Sequence, residues 1–186
     1  MATRVERARR LFTLEEYDRM VEVGVFGPED RLELIEGEIV EMSPIEHEHA
    51  ACVDALTRLF VLGVGDRAIV RVQGPVGLPP RSRPEPDLLL LRPRSYRKGP
   101  ARTRDVVLVI EVADSSLRYD RTVKLRMYAR SGTPEYWIVD PKAQTVDVCR
   151  EPTADAYRSV QRFGRDSTIA PLAFPDLTIG VADLFV

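Results

Sequence analysis

The seven residues Val106–Val112, VVLVIEV, decide the architecture. Valine, leucine and isoleucine fill every position but one, the carboxylate Glu111. An apolar run without alternation is the pattern of a strand covered on both faces, at the centre of a sheet flanked by helices. The two-residue strand period puts Val107, Val109 and Glu111 on one face, and Val106, Leu108, Ile110 and Val112 on the other. Glu111 thus stands near the C-terminal end of a core strand. A carboxylate there is costly unless something pairs with it. It is either a salt-bridged structural acid or a functional one, and alone it does not decide between them.

Upstream, Pro86-Asp87 opens a second apolar run, Leu88–Leu91. Asp87 alone reads as turn chemistry. Two acids at the ends of neighbouring core strands read differently, because adjacent strands lie close enough for two side chains on one face to share an ion. A hard divalent cation such as Mg²⁺ takes one or two carboxylates plus water and substrate phosphate. Downstream, Asp120–Arg130 has helical spacing, with Val123, Met127 and Tyr128 inward and Gly132 as its stop. Lys124 in this helix is either the i,i+4 partner of Asp120 on the solvent face or a cation beside a reacting phosphate.

The remaining elements fit around this centre. Thr13 and Glu16 form a capping box for a helix over 14–23, with Leu14, Tyr17, Met20 and Val21 inward and Gly24 as its stop. Strands over 32–35 and 38–42 flank Glu36-Gly37, where glycine supplies the positive φ of a tight hairpin turn. A longer helix spans 46–62 and closes at Gly63. Strands follow at 68–72, 76–78, 87–91, 135–139, 146–149, 157–163, 168–170 and 177–180. The class is mixed α/β: a central sheet with flanking helices.

Length and composition set the bounds. The 186 residues suit a charged tail over 1–11 and one domain over 12–186. A 44% hydrophobic share is enough for a core, so disorder is excluded as the main state. No apolar stretch has the length of a membrane span, and the charged start has no signal-peptide core, so the expected location is cytoplasmic. Cys52 and Cys149 make no disulfide framework, and with His47 and His49 they match no zinc spacing. The net charge of −2 neither demands nor excludes nucleic acid. The stretch Arg92–Arg104 is basic and free of acid. Arg94, Arg97 and Lys98 there, with Arg81 and Arg83, are candidates to track a phosphate backbone, or else a solvated surface.

An ordered set of short motifs carries a resemblance. It comprises Glu33-Leu-Ile-Glu-Gly37, Met42-Ser43-Pro44, Pro86-Asp87, Glu111-Val112 with Ser115-Ser116, Asp120, Lys124, Tyr128-Ala129, and Tyr136-Trp-Ile-Val-Asp-Pro141. Over residues 12–150 it resembles the bacterial Uma-two family of restriction endonucleases, within the PD-(D/E)XK superfamily. The resemblance implies a restriction-endonuclease-like fold and a metal-dependent phosphodiesterase acting on DNA. Asp87, Glu111 and the backbone carbonyl of Val112 would hold Mg²⁺ or Mn²⁺, and Lys124 would assist the attacking water. The superfamily lysine normally stands two residues after the acid, where this chain has Ala113; Lys124 from the next helix takes its place. The loop Ala113-Asp114 with Leu117 also departs from the family pattern.

Glu33 resembles the extra acid that some superfamily members place near the metal, and equally reads as a solvent-facing hairpin acid. His49 falls where the family often has histidine, and its default is a capping or surface role. Tyr136 and Trp137 read as core or subunit-contact aromatics. A homodimer is compatible with cutting both strands, with 135–139 as an edge strand. The competing class is a catalytically silent module on the same fold that binds DNA or a protein.

Overall fold

A computed structural model gives the structure over residues 9–185. Most of the expected tail, residues 1–8, lies outside the described residues. The chain begins with α1 (Leu14–Glu22) and the hairpin β1 (Leu32–Ile35) and β2 (Glu38–Glu41). The capping box is present, with the Glu16 amide donating to Thr13 Oγ1 at 3.1 Å and the Thr13 amide to Glu16 Oε2 at 3.0 Å. The hairpin turn has φ of 53° at Glu36 and 90° at Gly37, the two positive values that a tight turn of this kind requires.

The long helix α2 (His47–Val64) leads to β3 (Ile69–Val72), β4 (Val76–Gly77) and β5 (Leu88–Leu91). β6 (Ala101–Arg102) pairs with β4, and β7 (Val106–Val112) follows. Then come α3 (Leu117–Tyr119), a π-helical turn (Asp120–Lys124) and α4 (Leu125–Arg130). β8 (Glu135–Asp140), β9 (Thr145–Pro152) and β10 (Tyr157–Gly164) form a meander, and β11 (Thr168–Ile169) pairs with β12 (Ile179–Gly180).

The main sheet has six strands in the order β10-β9-β8-β7-β5-β3. β7 lies inside it, antiparallel to β5 and parallel to β8. One face packs Leu88, Leu90, Leu108, Ile110, Val112, Trp137 and Val139 against Leu56 and Phe60 of α2. The other packs Leu89, Leu91, Val109, Tyr136 and Ile138 against Met127 and Tyr128 of α4 and Ile35 of the hairpin. This is the mixed α/β sheet with helices on both faces that VVLVIEV predicts.

Four expectations need correction. The strand alternation fails at the start of β7, because the pairing with β5 shifts register at Leu90/Leu91; Val106 joins the α4 face and Val107 the α2 face. The 135–139 strand is not an edge, since β8 is paired on both sides. The second helix runs past Gly63 to Val64, and Gly65, at φ 51°, caps it. Val21 is exposed, because α1 buries only a narrow stripe. Cys52 and Cys149 are both buried and belong to opposite faces of the sheet, which rules out a bond between them. Among the described residues no helix is long and apolar enough to cross a membrane.

Candidate active site

Five chain segments, β7 included, meet where β7 ends. Because β5 runs antiparallel to β7, its first residues lie beside the last ones of β7, with Leu88 opposite Ile110. Asp87, just before β5, therefore reaches Val112, whose amide donates to Asp87 Oδ2 at 2.8 Å. α2 begins at the same end, and His49 Nε2 lies 3.0 Å from Asp87 Oδ1. The histidine donates there, and this hydrogen bond raises its pKa above the usual value against the opposing effect of burial. His49 Nδ1 is buried without a partner among the described residues.

Glu111 is met from the helical layer. Lys124 Nζ donates to Glu111 Oε1 at 2.9 Å, and the Tyr128 hydroxyl donates to the same oxygen at 2.8 Å. Lys124 also reaches Glu33 at 3.2 Å, and Glu33 accepts from the Glu85 amide at 2.7 Å. Glu33, Asp87, Glu111, Asp120 and Lys124 are all buried. Burial pushes the Glu111 carboxyl upward, Lys124 opposes this, and the nearby acids Asp120, Asp87 and Glu33 add to the rise. Burial disfavours the Lys124 ammonium, but the attraction of Glu111, Glu33 and Asp120 outweighs it and holds the lysine charged. The π-helical turn ends on this lysine. Such turns within α-helices are frequent at functional sites. Asp120 opens it, accepting from Ser116 Oγ at 2.5 Å through one oxygen and leaving the other buried without a partner among the described residues.

These groups line a cleft of about 440 Å³. Glu33, His49, Asp87, Glu111, Val112 and Lys124 are among its walls, which carry seven carboxylates against the two cations Arg31 and Lys124. Among the described residues, no three His, Cys, Asp or Glu side chains are gathered into a ready ion cage. The donor chemistry nevertheless suits Mg²⁺ or Mn²⁺, which needs only one or two carboxylates and fills its other positions with water and phosphate. Glu111 Oε2 takes no hydrogen bond among the described residues, and the surplus of negative charge favours a cation.

The structure thus brings together Glu33, Asp87, Glu111, Val112 and Lys124. Lys124 does not pair with Asp120 on a solvent face, because both are buried and the lysine turns to Glu111 and Glu33. Glu33 is not a solvent-facing hairpin acid, and His49 caps nothing at the surface. Tyr136 and Trp137 are fully buried core residues.

The basic candidates fall elsewhere. None of Arg81, Arg83, Arg94, Arg97 and Lys98 lines the cleft. The loop 92–105 joins the far end of β5 to the start of β7, so the four residues of β5, on the order of 13 Å of strand, separate it from Asp87. Arg94 is tied to Asp105 at 2.7 and 2.8 Å and lies over Tyr96, while Arg83 pairs with Asp18 at 3.2 Å and stacks on Tyr17. Sequence reasoning missed Arg31, Glu85 and the hydroxyl of Tyr128. A signal existed for Arg31, which shares the strand face of Glu33 by the two-residue period.

Fold and site together define the class, a mixed α/β protein with carboxylates and a lysine gathered at the end of its central sheet. The chain belongs to the Uma-two family, described as "Putative restriction endonuclease", which matches residues 14–182. Its fold is similar to a crystal structure from Anabaena variabilis titled as a putative nuclease of the DUF820 group. That match has a TM-score of 0.73 and 21% identity, covering 94% of this chain and 97% of the other. No curated protein matches the chain in sequence.

Proposed function

We propose that the chain is a metal-dependent endonuclease of DNA in which Asp87 and Glu111 would hold Mg²⁺ or Mn²⁺. The observation that carries this reading is the meeting of Asp87, Glu111, Lys124 and Glu33, from four segments, in one cleft. The carbonyl of Val112 would complete the protein's share of ligands. The bound cation supplies Lewis acidity and lowers the pKa of its water.

The rest is the work of the chain's own side chains. Hydrolysis adds the oxygen of water to phosphorus and breaks one bridging P–O bond, giving a hydroxyl and a phosphomonoester. Negative charge grows on the phosphoryl oxygens as this happens, and a fixed cation there lowers the barrier. Lys124 is that cation in our reading. Its carboxylate neighbours keep it protonated, so it acts by charge and hydrogen bonding rather than as a base. Tyr128 and Lys124 hold one oxygen of Glu111 and leave the other without a hydrogen bond among the described residues. His49 and the Val112 amide fix both oxygens of Asp87. Glu33 sets Lys124 in place from the hairpin. Loop 92–105 plays no part at the scissile bond.

The test is an end-labelled duplex incubated with purified protein in Mg²⁺, in Mn²⁺ and with a chelator. Internal cuts that need the metal are the expected result. An intact duplex in all three, or cuts that persist in chelator, would count against the proposal.

A further inference from the structure

The cleft described above is acidic, yet the substrate proposed for it is a polyanion. Its inner cation, Lys124, lies 2.9 Å from Glu111 and 3.2 Å from Glu33, so those acids offset much of its charge. The other cation on its walls is Arg31. Arg31 forms no salt bridge among the described residues, although carboxylates surround it in the lining. Its one side-chain hydrogen bond among the described residues goes to a neutral acceptor, with Nη1 donating to the Ser43 carbonyl at 3.1 Å. Below the side chain, the Met42 amide donates to the Arg31 carbonyl at 2.9 Å and extends the hairpin pairing to this residue. The residue is half-buried, and its guanidinium, held by Ser43 in an exposed hydrogen bond, is left with donors to spare. A planar fork of donors with permanent charge suits phosphate oxygens better than any other side chain does.

We infer that Arg31 is the phosphate anchor at the mouth of the cleft. It binds the non-bridging oxygens of a backbone phosphate next to the one being cut. It positions the strand over Asp87 and Glu111 and takes no part in breaking the bond. This rests on the nuclease reading and adds the residue that offsets the cleft's repulsion of its substrate.

The experiment measures binding rather than cleavage. A full-length chain carrying Glu111→Gln is titrated into a fluorescent duplex by anisotropy at several salt concentrations. The same is done with Arg31→Gln added, which keeps a donor for Ser43 but loses the charge, and with Arg31→Lys. The expected result for Arg31→Gln is about tenfold weaker binding. The slope of log affinity against log salt should also fall by about one. Arg31→Lys should restore the slope and only part of the affinity, because an ammonium is a point charge. If the parent binds duplex and Arg31→Gln binds with equal affinity and slope, Arg31 is a hairpin staple and the inference is wrong. If the parent binds no duplex at any salt, the DNA-nuclease reading itself falls, and this inference with it.

Discussion

A carboxylate on a core strand has to be compensated, and at Glu111 two donors from one helical run do it. Lys124 and Tyr128 stand four residues apart, one helical turn, and both reach the same oxygen. Lys124→Met would leave Glu111 and Glu33 buried without their counter-charge. Urea unfolding at neutral pH should show a loss of about 3–5 kcal/mol. Tyr128→Phe removes one donor and keeps the ring in the core. It should cost about 1–3 kcal/mol by the same measurement and weaken Mn²⁺ binding followed by calorimetry. An unchanged Mn²⁺ affinity would show that the hydroxyl matters to the fold alone. Glu111 stood out as a candidate in the sequence because an acid among valines and isoleucines announces its own cost, and Asp87 only in combination with it, as a second acid at the end of a neighbouring apolar run. The His49–Asp87 contact was not, since nothing in a helix start says which strand end it will face. Arg31 was passed over because one arginine ahead of a hairpin looks like any surface cation.

At the scale of elements, β7 and its apolar neighbour β5 were readable from pattern alone, and the bulge between them was not. A bulge moves one residue, so it leaves the apolar character of Val106 and Val107 intact while exchanging their faces. The place of the basic loop was not legible for a different reason. Its charge was plain, but its position follows from β5 and β7 being antiparallel neighbours, which puts their connection at the end away from Asp87. What the structure shows there is a tether. Arg94 holds Asp105 through two hydrogen bonds and the Arg102 amide adds a third. Together they pull the Asp105 carboxyl from its ordinary 3.8 to about 2, against burial. A carboxyl lowered on folding stabilises the fold above its unfolded pKa and loses that contribution as pH falls through its folded one. Wild type should therefore exceed Asp105→Asn in urea midpoint at pH 5. The gap should close between pH 4 and pH 2. A gap that is constant over that range would remove the charge from the explanation.

For the whole molecule, charge is arranged against its overall sum. The chain carries a net −2, with seven carboxylates on one cleft and a run of arginines at the other end of the sheet. A small excess of acid in the composition hides both features, which is why net charge decided nothing about nucleic acid. The order of motifs did better, since it matched a family over most of the chain while each piece alone was weak. The claim that binds these scales is that Asp87 and Glu111 form the metal-dependent cutting centre. Nicking of supercoiled plasmid in Mg²⁺ by wild type and by Glu111→Gln, matched for thermal stability, tests it most directly. We expect wild type to convert plasmid to nicked and linear forms and Glu111→Gln to lose at least about a hundredfold in rate, the scale of removing one electrostatic stabiliser. Equal nicking by the two proteins would contradict the account.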